Sequence, residues 1–144
     1  MNGYLLDTNI LSEIRKEKRC DPGVREWFAV NAGEEFFVSV LVLGEIRQGI
    51  ERIRPRDPEQ ALALEKWLLW IATEFHDRVL PVDSQVADQW GRLGVQQPVP
   101  ILDAYQAATA LVHGLRVVSR DEPGFRGTGV TVINPFSKAR LKSG

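Results

Sequence analysis

The stretch Tyr4-Leu5-Leu6-Asp7-Thr8-Asn9-Ile10-Leu11 reads as a short buried strand that breaks directly into a helix. Asp7, Thr8 and Asn9 supply the capping chemistry, and Ile10, Leu11 and Ile14 then recur at helical spacing. A strand that ends on a carboxylate and turns at once into a helix is the repeating unit to look for downstream.

Downstream, strands and helices do alternate, without internal repeats in the sequence. Pro22 opens a second helix carrying Val24, Trp27 and Phe28, closed by Asn31-Ala32-Gly33. Phe36, Phe37, Val38 and Val40 predict a second strand, and from Val42 the spacing turns helical to Ile53 with Glu45 in the first turn. Asp57 and Pro58 start the longest helix, which runs to near Phe75. Its apolar residues, Trp67 and Trp70 among them, cover more than one face, so part of it should meet a second layer or another chain. Val79, Leu80 and Val82 predict a third strand, followed by a helix capped at Asp83-Ser84 and holding Val86, Ala87, Trp90 and Leu93. Gln96 to Pro100 is an extended loop. Ile101 to His113 is an Ala-rich helix that Gly114 ends as a left-handed cap. Val117 and Val118 make a fourth strand, Val130, Val132 and Ile133 a fifth, and residues 137–144 a polar basic tail. Short strands alternating with helices predict an α/β sandwich around a mostly parallel sheet, with its site beyond the carboxyl ends of the strands. Asp7 and Asp121 lie at two such ends.

The chain has 144 residues, one domain's worth, with 44% hydrophobic and 26% charged residues, as in ordinary soluble globular proteins. A formal net charge of -1 gives no global pull toward nucleic acid or membrane, so any anion-binding surface must be local. Basic residues do cluster, at Arg15, Lys16, Lys18 and Arg19, at Arg47, Arg52, Arg54 and Arg56, and at Lys138, Arg140 and Lys142. Cys20 is the only cysteine, which excludes an internal disulfide and a thiolate zinc cage; beside Asp21-Pro22 it reads as an exposed loop thiol. His76 and His113 are the only histidines and lie at no metal-binding spacing. No apolar run reaches membrane-spanning length and the N-terminus has no signal-peptide pattern, so a cytoplasmic protein is expected.

Asp7, Glu45, Asp103 and Asp121 each sit where an apolar strand or helix begins or ends. Taken singly, they read as a cap, two first-turn acids and a turn residue, as Asp83 reads as a cap and nothing more. Taken together, they are carboxylates that the fold can gather. Two such charges at ~4 Å repel by about 4 kcal/mol at an effective dielectric of about 20, so they hold either a proton or a metal between them. On a 3.6-residue helix Asp103 shares a small face with Ala107 and Ala110, leaving Ile101, Tyr105, Ala108, Leu111 and Val112 for the core side.

The flanks of these acids carry a family resemblance. LLDTNILSEI at Leu5–Ile14, VSVLVLGEIRQGI at Val38–Ile50, ILDAYQAATALVHGL at Ile101–Leu115, and VVSRDEPGF followed by GVTVINPF at Gly129–Phe136 resemble, in order, the four blocks of PIN-domain proteins, specifically the VapC- and FitB-like toxins. Two positions depart from it. Many relatives have Asn where this chain has Asp121 and a later acid where it has Gly124, so Asp121 must supply the fourth carboxylate; Gln106 stands where an aliphatic residue is usual. The resemblance implies a PIN-like three-layer sandwich on a five-stranded sheet and a divalent-metal-dependent ribonuclease. Asp7, Glu45, Asp103 and Asp121 would be its catalytic and metal-holding quartet, with Thr8, Asn9 and Ser119 in support. An all-oxygen set suits Mg²⁺ or Mn²⁺, and no side chain would be the nucleophile, that role falling to water. RNA phosphates would need basic residues near the quartet, namely Arg15, Arg47, Arg120 and Arg126. The implied partners are a cognate antitoxin and a second copy in a homodimer. A non-catalytic PIN-like RNA-binding or assembly module is the alternative. An aspartyl-phosphate phosphatase would want a second acid at position 9, which is Asn9.

Overall fold

A computed structural model describes residues 2–95 and 98–137. The basic cluster at Lys138, Arg140 and Lys142, and the Gln96-Gln97 part of the extended loop, lie outside the described residues. The elements run β1 (Tyr4–Leu6), α1 (Thr8–Ile14), α2 (Pro22–Val30), β2 (Phe36–Ser39), α3 (Val40–Ile53), α4 (Pro58–Glu74), β3 (Val79–Leu80), α5 (Ser84–Arg92), α6 (Ile101–His113), β4 (Arg116–Val118) and β5 (Val132–Ile133). The sheet order is β3-β2-β1-β4-β5 and every pairing is parallel. This is the α/β fold that the alternation predicts.

Period-two alternation sorts the strand residues into two cores. Tyr4, Leu6, Val38 and Val118 pack with Ile10, Val42, Ile46, Ile50, Leu68 and Ile71 on the side of α1, α3 and α4. Leu5, Phe37, Leu80 and Val117 pack on the other side with Ala107 and Ala110 of α6. Each large apolar side chain so covered stabilises the fold by about 1.5–3 kcal/mol. On α6 the expected sides hold in part: Ala108 is buried as expected, but the bulky residues are not the ones that meet the sheet. Its small Ala107–Ala110 face lies on the sheet, while Ile101 is 62% and Leu111 36% exposed. Methyl-sized side chains let the helix lie close to the strands, and that closeness carries the start of α6 to the strand ends. Tyr105 stacks on Trp90 of α5, with ring centroids 4.8 Å apart.

Boundaries shift where capping overrides hydropathy. Val40 belongs to α3 and not to β2, because the Ser39 hydroxyl accepts the Leu41 N–H at 3.1 Å and starts the helix there. Val82 and Val130 fall outside the two-residue strands β3 and β5. Asp57 and Asp83 cap α4 and α5 through the Gln60 and Val86 amides, as their positions suggest. Gly114 ends α6 at φ +66°, a left-handed position that a Cβ would disfavour. Cys20 corrects the expectation of an exposed thiol: it is 6% exposed and part of the core, where burial pushes its thiol up.

Candidate active site

Chain order reverses between β1 and β4. The strands from β1 to β3 run outward one way, and β4 and β5 return on the other flank. In open parallel sheets the crevice at such a switch point, beyond the carboxyl ends, is where ligands bind. Asp7 leaves β1 there, and Ser119, Arg120 and Asp121 leave β4 beside it.

Asp7 is 6% exposed and hydrogen-bonded at both carboxylate oxygens. Its Oδ1 accepts the Thr8 N–H at 2.8 Å and the Gln106 Nε2 at 2.8 Å. Its Oδ2 accepts the Ser119 hydroxyl at 2.6 Å and, more weakly, the Asn9 Nδ2 at 3.4 Å. Ser119 Oγ accepts in turn from the Asp121 N–H at 3.0 Å and from Asn9 Nδ2 at 3.3 Å. Asn9 Oδ1 takes the Arg120 N–H at 3.1 Å. Asp7 is thus a positioned carboxylate, and Asn9 and Ser119 tie the β1 and β4 exits together.

Glu45 sits in the second turn of α3, since the helix begins at Val40, so the expected first-turn placement does not hold. Its Oε1 accepts the Thr8 hydroxyl at 3.0 Å. Burial pushes its carboxyl up, the Thr8 bond opposes that, and the Asp7 charge adds to it. Asp103, in the first turn of α6, is pushed up to about 6. Burial is the largest cause, followed by the charges of Asp121, Asp7 and Glu45 and by a hydrogen bond with Asp121. A helix N-terminus alone would favour the carboxylate by about 0.3–1 kcal/mol, so burial and like charge win here. Asp121 is exposed, and its Oδ1 accepts the Gly124 N–H at 3.3 Å. Gly124 is a cradle: a Cβ there would run into Asp121 Oδ2 and Asp103 Oδ2.

Asp103 therefore feels the charges of the other three acids, and Glu45 that of Asp7. Among the described residues no Lys, Arg or His pairs with any of them. Among the same residues, no three His, Cys, Asp or Glu side chains already form a cage for an ion. The donor set is nonetheless entirely oxygen and has no basic partner among the described residues, a chemistry that fits a hard divalent cation.

The four arginines are scattered. Arg15 lies over the Trp67 ring at 5.5 Å. Arg47 pairs with Glu51 at 3.1 Å and Glu65 at 3.4 Å, between α3 and α4. Arg120 covers Phe136 at 4.8 Å, and Arg126 lines an open cleft with Glu122 and Val130. Gln106, standing where an aliphatic residue is usual, is 1% exposed and bonded to Asp7. Its place one helical turn from Asp103, polar within a run of buried alanines, was the available signal.

The PIN domain family matches residues 4–129. The VapC ribonuclease Y4jK of Sinorhizobium fredii is 29% identical over 94% of this chain and 99% of its own length. Toxin FitB of Neisseria gonorrhoeae is 30% identical over 92% of this chain and 97% of its own. In the structure of FitAB bound to an IR36 DNA fragment, the matched chain superposes with a TM-score of 0.67 at 27% identity, over 92% of this chain and 94% of that one.

Proposed function

We infer that this chain, which belongs to the PIN-domain family, is a divalent-metal-dependent ribonuclease and the toxin of a toxin–antitoxin pair. The observation that carries this reading is the convergence of Asp7, Glu45, Asp103 and Asp121 at the sheet's switch point without a basic partner among the described residues. The names of its relatives, a VapC ribonuclease and a toxin, support it. The four carboxylates would hold Mg²⁺ or Mn²⁺. When bound, such an ion acidifies water and neutralises charge on the phosphoryl group. The chain's own part is to orient and to release protons. Thr8 aims Glu45, and the Thr8, Asn9, Gln106 and Ser119 donors fix Asp7. Asp103, pushed up to about 6, would have to be deprotonated to hold the ion, so affinity for the ion should rise as pH passes about 6.

The test is cleavage of an RNA panel by purified protein with Mg²⁺ or Mn²⁺ and after chelation. Cleavage that needs the ion supports the reading. RNA bound but intact under every condition would favour the non-catalytic module instead.

Gly124→Ala probes the same centre. The atoms that its Cβ would meet, Asp121 Oδ2 and Cγ and Asp103 Oδ2, all belong to side chains that can rotate away, so folding stability should change by less than about 1 kcal/mol. Displacing two of the four carboxylates should weaken Mn²⁺ binding by at least about 10-fold, read by calorimetry. Unchanged affinity would remove the Asp103–Asp121 pair from the ion's site.

A partner surface accompanies the centre. A groove of about 480 Å³ between α1, α2 and α4 is lined by Ile14, Arg15, Phe28, Phe36, Trp67 and Trp70. Trp70 is 55% exposed, more apolar surface than an unaccompanied helix face normally shows. An amphipathic antitoxin helix suits it. Leu62 and Leu69, two turns apart on α4, offer a separate exposed apolar strip for a second copy of the chain. A PIN domain filling the whole chain, acting in the cytoplasm, completes the reading; no described helix is long and apolar enough to cross a membrane.

A further inference from the structure

Gln106 enters the centre from α6 one helical turn after Asp103, and both side chains reach the end of β1. Its amide can face Asp7 only nitrogen first, because an amide oxygen against a carboxylate oxygen would repel. Among the described residues the contact, 2.8 Å from Nε2 to Oδ1, is the one long-range side-chain bond to that oxygen; the other comes from the adjacent Thr8 amide. Together they saturate Oδ1. Oδ2 has one short bond, from Ser119, and one at 3.4 Å, from Asn9, so it is the oxygen with acceptor capacity to spare. The opposite end of the Gln106 amide, Oε1, is buried and has no hydrogen-bond partner among the described residues. Burying an acceptor unpaired costs stability, and packing alone would be better served by an apolar side chain of the same size.

We propose that Gln106 is a positioning residue for metal binding, which holds Asp7 by its Oδ1 so that Oδ2 alone is presented to the ion. This rests on the metal-dependent reading above. Gln106 acts through Asp7 and touches neither the ion nor the substrate. Without it, Asp7 Oδ1 keeps only the adjacent Thr8 amide, so the carboxylate is held less tightly and must be ordered further on binding the ion.

Mn²⁺ affinity by calorimetry and melting temperature without metal, measured on wild type, Gln106→Leu and Gln106→Met, test this. Both substitutions keep the volume and remove the donor together with the unpaired acceptor. The expected result is Mn²⁺ affinity weakened at least about 10-fold, as for other outer partners of metal ligands, with a metal-free melting temperature within a few degrees of wild type, because the bond lost at buried Asp7 is offset by removal of the unpaired acceptor. A glutamine that served packing alone would give the reverse, a lowered melting temperature and unchanged affinity, and that result overturns the proposal. So does failure of both variants to fold. If wild type itself binds no Mn²⁺, the metal-dependent reading falls and this proposal with it. If wild type binds and the folded variants bind equally well, only the proposal about Gln106 falls.

Discussion

Asp103→Asn is expected to raise the melting temperature of the metal-free protein at pH 8 while lowering metal-dependent RNA cleavage by more than about 100-fold, beyond the range for outer partners of a metal site. The two effects share one cause. Asp103 is pushed up to about 6 by burial and by the charges of Asp121, Asp7 and Glu45, against about 3.9 for an aspartate in an unfolded chain. A group whose folded value is the higher one favours the folded state fully below about pH 4, and that contribution is lost as pH rises through about 6. Above that pH the metal-free protein carries a repelled charge. Asparagine removes it at the same size. Asp103 is only partly buried, so solvent screens the effect to about 1 kcal/mol, a few degrees for a chain of this length. The stability of wild type should therefore fall between about pH 4 and pH 7 more than that of the variant. Added Mn²⁺ should stabilise wild type by mass action and the variant much less. Equal metal-induced shifts in the two proteins would count against the quartet, whatever happens to cleavage.

Expression of the wild-type chain alone should arrest growth, and Asp7→Asn should relieve the arrest. Asp7 accepts from four donors, and an asparagine amide would turn an N–H toward at least one of them. That costs about 1–3 kcal/mol, so relief by Asp7→Asn could be misread if the variant failed to accumulate. Asp103→Asn carries no such burden and serves as the second inactive variant. Both should be harmless at wild-type soluble levels. Co-expressed antitoxin should rescue cells making the wild type, and Trp70→Glu should escape that rescue while remaining toxic. Trp70 is more than half exposed, so the fold tolerates the change, and it lines the groove at a position suited to a binding hot spot. Harmless expression of folded, Mn²⁺-binding wild type would sink the toxin reading and leave the nuclease reading standing. Rescue of Trp70→Glu at wild-type efficiency would move the antitoxin elsewhere.

Local chemistry was enough to read the elements, because each carries its own signal over a few residues. Tyr4-Leu5-Leu6 followed by Asp7-Thr8-Asn9, Pro58 after Asp57, and Gly114 after His113 write strand, cap and stop into the chain itself. The alternation of such units sufficed for a parallel α/β sheet. The acids too were visible one by one, since each stands at the edge of an apolar block. What no local pattern contains is which side of α6 meets the sheet. That depends on whether alanines or bulkier residues allow the closer approach, and the packing chose Ala107 and Ala110. The same choice turned Gln106 from an oddity among alanines into a donor to Asp7, across 99 residues of sequence. Cys20 shows the limit from the other direction: charged neighbours suggested solvent, but the chain folds it into the core beside Val24 and Phe136. The sequence alone determined the elements, their order and the acidic residue types, because these follow from short-range propensity and hydropathy. Only the tertiary structure decided the charge coupling within the quartet, the saturation of Asp7 Oδ1 and the groove beside Trp70, because each arises from contacts between segments that the chain's local chemistry does not relate.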